Sequence, residues 1–469
     1  MLKLSDSVDS QLDFESFSSK EIKCDSLNDE TLTISTGQTS IFGTESDIED
    51  IDLDRLIHER HVFVTSGANL EVEHDPNQQS KFRLLFSLLK NFIGVKDIVT
   101  LRISLPAQLL EPIGNLEYWN YNDRPDYLIC IGDSDDPLER MFATIRWWFS
   151  KDLKYVKGKL IKPYNSILGE QFSCHWDVSE PRFDKKGNFI EQQETLNEND
   201  NNQKNYRVTC LTEQISHHPP VSAFCYHSED KGITARGVDQ LSARFTGTCE
   251  QNKGIYINLS KRGNEEYLLT HPVASVQGWL KASLYIVVGE SCIITCPKTK
   301  LKAILEYKEE RWLGKPKFAI EGKIFKYDPK NDDKKKLKII NENDVLAEIT
   351  GSWRGQVHAT RLDTNETKLL LDMEKIFPIP KKVKPISKQR PLESRNVWKP
   401  VTTALFQKDY TKATKEKQII EERQRQKAAE YKSNKEFNAA YFKLPVIDGK
   451  PNLNDAGHSA MKQEHQFIF

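Results

Sequence analysis

The spacing of apolar positions along this chain changes period twice. Residues 1 to about 78 show little apolar periodicity, and the run "ESDIEDIDLDR" reads as solvated and flexible. From Lys81 to Asp97, "KFRLLFSLLKNFIGVKD" sets Phe82, Leu85, Phe86, Leu89 and Ile93 on one helical stripe, which Leu84, Leu88 and Phe92 widen almost to the full circumference. Such a segment is either a buried core helix or a flap that alternates between covering an apolar cavity and touching lipid. In "GDSDDPLERMFATIRWWFSKDLK", Asp136 can cap, Pro137 suits the first helical position and Glu139 can close a capping box. Leu138, Met141, Phe142, Ile145, Trp148 and Phe149 then follow helical spacing. Capping accounts for the pair Asp135 and Asp136 better than a metal does.

Past Gln171 the period falls to two, in runs such as "YRVTCLTE", "VSAFCYH", "GIYINLS", "SLYIVVG", "KAILEYK", "KFAIEGKIFKY", "LAEITGSWRG" and "TKLLLDM". Clusters of Gly, Asn, Asp and Lys punctuate them, as a long antiparallel meander or barrel requires. Too many strands follow one another for a doubly wound sheet. The fold class predicted is α+β, mainly β: a large antiparallel barrel, wide enough to enclose a ligand. After the strands, "ESRNVWKPVTTALFQKDYTKATKEKQIIEERQRQKAAEYK" returns to helical composition, with a charged face that by itself reads as solvated surface.

Charge sharpens this picture. The whole chain carries −1, yet residues 1–80 hold 18 acidic and 5 basic side chains, a net of −13, which leaves +12 for residues 81–469. An acidic leader ahead of a basic body points to a domain attracted to anionic surfaces. No apolar run approaches the roughly 20 residues of a membrane span. The N-terminus lacks the basic and apolar regions of a secretion signal, and the eight scattered cysteines read as reduced thiols. Within the leader, "DFESFSSKE" (residues 13–21) resembles the acidic and aromatic short motif that binds the endoplasmic-reticulum receptor VAP, with serine where a second aromatic is expected.

The densest chemistry lies in "EQISHHPP", residues 213–220. Adjacent histidines point in different directions on a strand or helix and rarely share one metal, and there is no HExxH, CxxC pair or H-x-E with a downstream cysteine pair. No G-x-S-x-G elbow or Gly-rich phosphate loop appears, so neither a catalytic nucleophile nor a cofactor is expected. The lysines of "DPKNDDKKKLK" lack interleaved aromatics, which argues against nucleic acid. An anion remains: His217 and His218, stiffened by the prolines that follow, can present two N–H donors to phosphate oxygens. "KLIKPYNSILGE" offers Lys162 and Asn165 in a turn that reads equally well as a structural loop or as part of a site.

Together these segments resemble the oxysterol-binding protein family. "EQISHHPP" looks like its fingerprint, "KPYNSILGE" is similar to its KPLNPxLGE-type segment, and "LPAQLLEP" and "ESRNVWKPVTTAL" fit the same ligand-binding domain in order. Tyr164 and Ser166 stand where the family more usually has leucine and proline. The resemblance implies an incomplete antiparallel barrel around a hydrophobic tunnel. It implies a leader at 1–78 and a lipid-binding domain at 79–469: a lid at 81–97, a helical part at 98–170, the barrel at 171–375 and a C-terminal helical part at 376–469. It implies no enzyme but a short-form carrier, with the ligand-binding domain alone, that exchanges phosphatidylinositol 4-phosphate for sterol or phosphatidylserine between membranes. The alternative is a lipid sensor that recruits partners without transport. Carried over residue by residue, the head group falls to Lys162, Asn165, His217, His218, Lys417, Glu421 and Arg425, the last three at i, i+4 and i+8 of a helix. The lid falls to the stripe of Phe82, Leu85, Phe86, Leu89 and Ile93. A cytoplasmic protein, peripheral on membranes at endoplasmic-reticulum contact sites, is the location implied.

Overall fold

The computed structural model describes residues 52–66, 107, 110–158, 161–190, 204–243, 248–251, 254–277, 285–308, 318–333, 335–433 and 437–468. The apolar stripe at 81–97 and the motif at 13–21 lie outside them. Helix α1 spans Leu53–Ser66. This corrects the expectation of a flexible leader over that stretch, because Leu53, Ile57, His61 and Val64 form a buried face. Short helices α2 (Asn115–Tyr118) and α3 (Pro125–Ile129) precede α4 (Pro137–Ser150) and α5 (Leu153–Val156).

Sixteen strands follow among the described residues. They are β1 (Gln171–Ser179), β2 (Arg182–Phe183), β3 (Phe189–Ile190), β4 (Asn205–His217), β5 (Pro220–Ser228), β6 (Ile233–Ala243), β7 (Thr248–Gln251) and β8 (Gly254–Leu259). Then come β9 (Glu265–Thr270), β10 (Val273–Gln277), β11 (Tyr285–Cys296), β12 (Leu301–Tyr307), β13 (Ala319–Lys326), β14 (Val345–Ser352), β15 (Gln356–Arg361) and β16 (Thr367–Asp372). The chain ends in α6 (Ser394–Val397), α7 (Lys399–Phe406), α8 (Tyr410–Ser433) and α9 (Asp455–Gln466).

Fourteen of the strands form one sheet in the order β1-β4-β5-β6-β7-β10-β11-β12-β13-β14-β15-β16, with β8 and β9 bridging β6 to β11. β1 and β16 end this path without pairing with each other, so the barrel is incomplete. An open edge is a liability, and β1 is covered: His175 and Lys382 exchange backbone hydrogen bonds of 3.0 and 2.8 Å, and Gln171 N–H donates to the Leu392 carbonyl at 2.8 Å.

The period-two pattern buries both faces of β4 and β5. Cys210, Phe224 and Tyr226 turn inward to the main core with Trp148 and Phe149 of α4. Leu211, Ala223 and Cys225 turn outward beneath Tyr441, Phe442 and Met461 of the C-terminal part. All six residues of the expected α4 stripe are buried. Asp136 caps that helix, accepting from Leu138 N–H at 2.8 Å. Glu139 does not close a box with it: it takes Arg361 at 3.3 Å and Lys368 at 3.1 Å, tying α4 to β15 and β16.

Candidate functional site

The segment from Lys162 to Glu170 is a strap held at both ends. Its first half lies along residues 111–115: Glu111 N–H donates to the Lys162 carbonyl at 3.0 Å, and Tyr164 exchanges backbone bonds with Ile113 and Asn115 at 2.9 and 3.1 Å. The Tyr164 ring stacks on Trp398 at 4.6 Å, and its hydroxyl lies 2.8 Å from Thr402 Oγ1. Tyrosine in place of leucine therefore clamps the strap to α7. At the far end the buried Glu170 carboxylate collects four donors: Ser394 Oγ at 2.7 Å, Ile167 N–H at 2.9 Å, Trp398 Nε1 at 3.1 Å and Ser166 Oγ at 3.2 Å. Gly169, at φ +77°, turns the chain so that its N–H reaches the Gln214 carbonyl at 2.8 Å. With 163, 164 and 166 buried, Lys162 and Asn165 are the side chains left exposed between them.

"EQISHHPP" forms the tip of the β4–β5 hairpin. Its glutamate is scaffold: Glu213 accepts from the backbone N–H groups of Ala440 and Tyr441 at 2.6 and 2.8 Å, and burial raises its pKa to about 7. Gln214 braces a bulge, donating to the Ser216 carbonyl and accepting from Ser222, both at 2.7 Å. The tip thus presents the two imidazoles with ring centroids 4.6 Å apart. His217 is half-buried and its Nδ1 lies 3.0 Å from the Ser166 carbonyl, which can only accept, so Nδ1 carries the proton. In the neutral ring Nε2 is then an acceptor. Burial, and next His218, lower the His217 pKa, with Glu421 opposing. An anion at Nε2 would reverse this and draw in a proton.

Helix α8 supplies the third side. Ala413, Lys417, Ile420 and Gln424 are its buried positions, and Ile420 packs with Trp398 and Tyr164. Gln424 accepts from Leu168 N–H at 2.9 Å, fixing the helix to the strap. Lys417 meets Glu421 at 2.7 Å. Lys162 keeps more than a third of its surface accessible, yet protein crowds it enough that burial, and next Lys417, push its pKa down. Both facts fit an ammonium in a concave mouth. The structure brings Lys162, Asn165, His217, His218, Lys417 and Glu421 around the strap. Arg425 turns aside to Glu422 at 2.6 Å, half exposed.

The sequence profile of the oxysterol-binding protein family matches residues 84–405. The chain belongs to the oxysterol-binding protein family. Oxysterol-binding protein-like protein 1 of Schizosaccharomyces pombe is 39% identical, over 84% of this chain and 93% of its own length. Oxysterol-binding protein-like protein OBPa of Candida albicans is 28% identical, over 77% and 76%. The Osh1 ORD domain in complex with ergosterol superposes with a TM-score of 0.60 at 20% identity, covering 88% of this chain and 98% of that one. The Osh3 ORD in complex with PI(4)P from Saccharomyces cerevisiae gives 0.55 at 16%, covering 81% and 93%. At these identities the shared feature is the fold.

The polar interior of this family member carries no signal in the sequence. The Tyr121 hydroxyl donates to Asp239 at 2.5 Å, and burial lifts Asp239 to about 7. His271 lies between Tyr121 and Trp148 at 5.3 and 5.6 Å, its pKa held down to about 3 by burial. Asp239 and His271 are enclosed by protein but keep accessible surface, so they line interior space. Nothing local marks them, since their partners lie more than a hundred residues away in sequence. No helix among the described residues is long and apolar enough to cross a membrane, and none of their His, Cys, Asp and Glu groups clusters as a metal site.

Proposed function

We propose that this chain is a lipid-transfer protein that takes phosphatidylinositol 4-phosphate from one membrane and exchanges it for sterol or phosphatidylserine from another. The observation that carries the reading is the mouth: Lys162 and Lys417 close enough for one to depress the other's pKa, beside a histidine pair locked to the strap by the Ser166 carbonyl. A dianionic phosphate there relieves the repulsion between the ammonium groups and draws a proton onto His217. Asn165 supplies a neutral amide, Glu421 holds Lys417 in place or accepts from an inositol hydroxyl, and Arg425 joins by leaving Glu422. The apolar core behind the mouth suits hydrocarbon. Hiding several hundred Å² of lipid chain from water contributes on the order of 10 kcal/mol, so a cover is needed before cargo can leave the bilayer. The stripe at 81–97 is the proposed lid. Two domains of the same fold are named for one lipid each, Osh1 for ergosterol and Osh3 for PI(4)P, and the proposal is that one cavity of this chain takes both kinds in turn. The protein acts from the cytoplasm, peripherally, and residues 13–21 are the proposed contact with a VAP-type receptor at the endoplasmic reticulum.

The test is transfer between liposomes by the full chain. Phosphatidylinositol 4-phosphate should reach acceptor vesicles, and faster when these carry sterol or phosphatidylserine. Saturable binding without transfer would contradict the proposal in favour of a sensor.

A further inference from the structure

A cavity of about 240 Å³ lies on the outer face of the sheet, on the opposite side from the main core. Leu211 of β4 and Ser173 of β1 line its base, residues 384–393 form one wall, and Tyr441 with α9 the other. Its carboxylate, Glu393, is buried and occupied: Ser173 Oγ and Lys384 Nζ each reach it at 3.1 Å, and Arg390 N–H donates at 2.6 Å. Lys384 is balanced in turn by Glu393 and by Glu464 at 3.3 Å. Two exposed cations remain along the rim. Lys388 lies over the Phe467 ring at 5.4 Å, and Arg390 over the Tyr441 ring at 5.2 Å, with its Nε 3.8 Å from Glu393. Tyr441 is only 1% exposed and its hydroxyl has no hydrogen-bond partner. A buried hydroxyl left unpaired is costly, and the residue that carries it lines a cavity rimmed by Lys388 and Arg390.

We propose that this cavity is a second anion site, for a phosphate monoester the size of a phosphorylated inositol, held by Lys388 and Arg390 with the Tyr441 hydroxyl donating to a phosphate oxygen. It stands apart from the mouth, sharing no residue with it, and does not depend on the exchange reading. The phosphate could belong to a membrane head group or to a soluble ester, and the experiment separates the two.

The full chain carrying His217→Ala/His218→Ala, which disables the mouth, is titrated with inositol 1-phosphate by calorimetry and, separately, tested for flotation with phosphatidylcholine vesicles containing phosphatidylinositol 4-phosphate. Saturable binding of the soluble ester is expected to survive in this background. Adding Lys388→Ala/Arg390→Ala should weaken it more than about tenfold, and adding Tyr441→Phe roughly threefold to tenfold, with the thermal midpoint unchanged by Tyr441→Phe. If vesicle binding falls with the same substitutions, the ligand is a membrane head group; if only the soluble ester is lost, it is a free metabolite. The proposal is overturned by a soluble ester that fails to saturate, or whose affinity ignores all three residues, whatever the vesicles do.

Discussion

Two regions of this molecule gather cations and imidazoles, and they put them to opposite use. At the seat of α1, His61, Arg395 and Lys381 converge on Glu117: Arg395 forms two bonds to the carboxylate at 2.6 and 3.0 Å, Lys381 donates to its backbone carbonyl at 2.6 Å, and His61 Nδ1 lies 3.8 Å away. All four residues are buried. Asp54, 4.0 Å from Arg395, adds a second carboxylate, so the two cations are balanced from within and the arrangement holds a helix. At the mouth, Lys162, His217, His218 and Lys417 meet around a strap whose own glutamate, Glu170, is consumed by four scaffold donors. Residue types are the same. What separates a structural joint from a binding site is how much carboxylate the chain supplies: at the mouth Glu421 meets Lys417 at 2.7 Å, and no carboxylate among the described residues pairs with Lys162.

The largest break in this comparison is Glu117→Ala. Leaving Arg395 buried and uncompensated should cost about 3–5 kcal/mol, read as a shift in the urea midpoint. Lys417→Ala should leave the fold almost unchanged, because it also removes repulsion from Lys162, but weaken phosphatidylinositol 4-phosphate binding about tenfold to a hundredfold, measured with a short-chain lipid.

Acidification should move the two regions in opposite directions. His61 sits well below its ordinary value, mainly through burial and next through Lys381, with Arg395 and His58 acting in the same sense against Glu117. Its contribution to stability is full above the unfolded value near 6.5 and is lost as pH falls below it. Glu117, held at about 2 by Arg395 against the cost of burial, loses its contribution further down, between about 4.5 and 2. From pH 7 to 6 the α1 seat should therefore weaken by up to about 1 kcal/mol, seen as faster amide exchange in α1. Head-group binding should tighten over the same range by up to about tenfold per unit, because His217 is depressed when free and takes up a proton with phosphate. A pH-independent affinity would remove His217 from the phosphate. The smallest effect belongs to Glu422→Ala, which frees Arg425 from an exposed pair: stability should change by less than about 0.5 kcal/mol, while binding improves about twofold.

The barrel was legible because alternation survives in each strand even where both faces are buried, as Cys210 inward and Leu211 outward show. α1 was not, because its seat is made by Glu117, Lys381 and Arg395, which come from far along the chain, and because Asp54, Arg55, Glu59 and Arg60 interrupt its short apolar stripe. His217 and Lys162 stood out locally, as a stiffened imidazole pair and a Pro-containing turn, but their meeting did not, since the bond that His217 Nδ1 donates to the Ser166 carbonyl joins segments 51 residues apart. The expected face of α8 needs refining on helical geometry. At about 100° per residue, a step of eight from Lys417 lands about 80° away, while a step of seven lands within about 20°. Gln424 accordingly shares the buried face and Arg425 faces solvent. Both motif glutamates, Glu170 and Glu213, proved to be anchors whose partners only the fold reveals.

Whether the histidine pair grips the phosphate is decided by extraction of phosphatidylinositol 4-phosphate from liposomes by the wild type and by His217→Ala/His218→Ala, with thermal unfolding recorded for both. Extraction by the wild type is expected, with a loss of at least about tenfold in the variant and similar unfolding curves. Equal extraction by a variant that is equally folded would contradict that grip, and would make "EQISHHPP" a piece of scaffold.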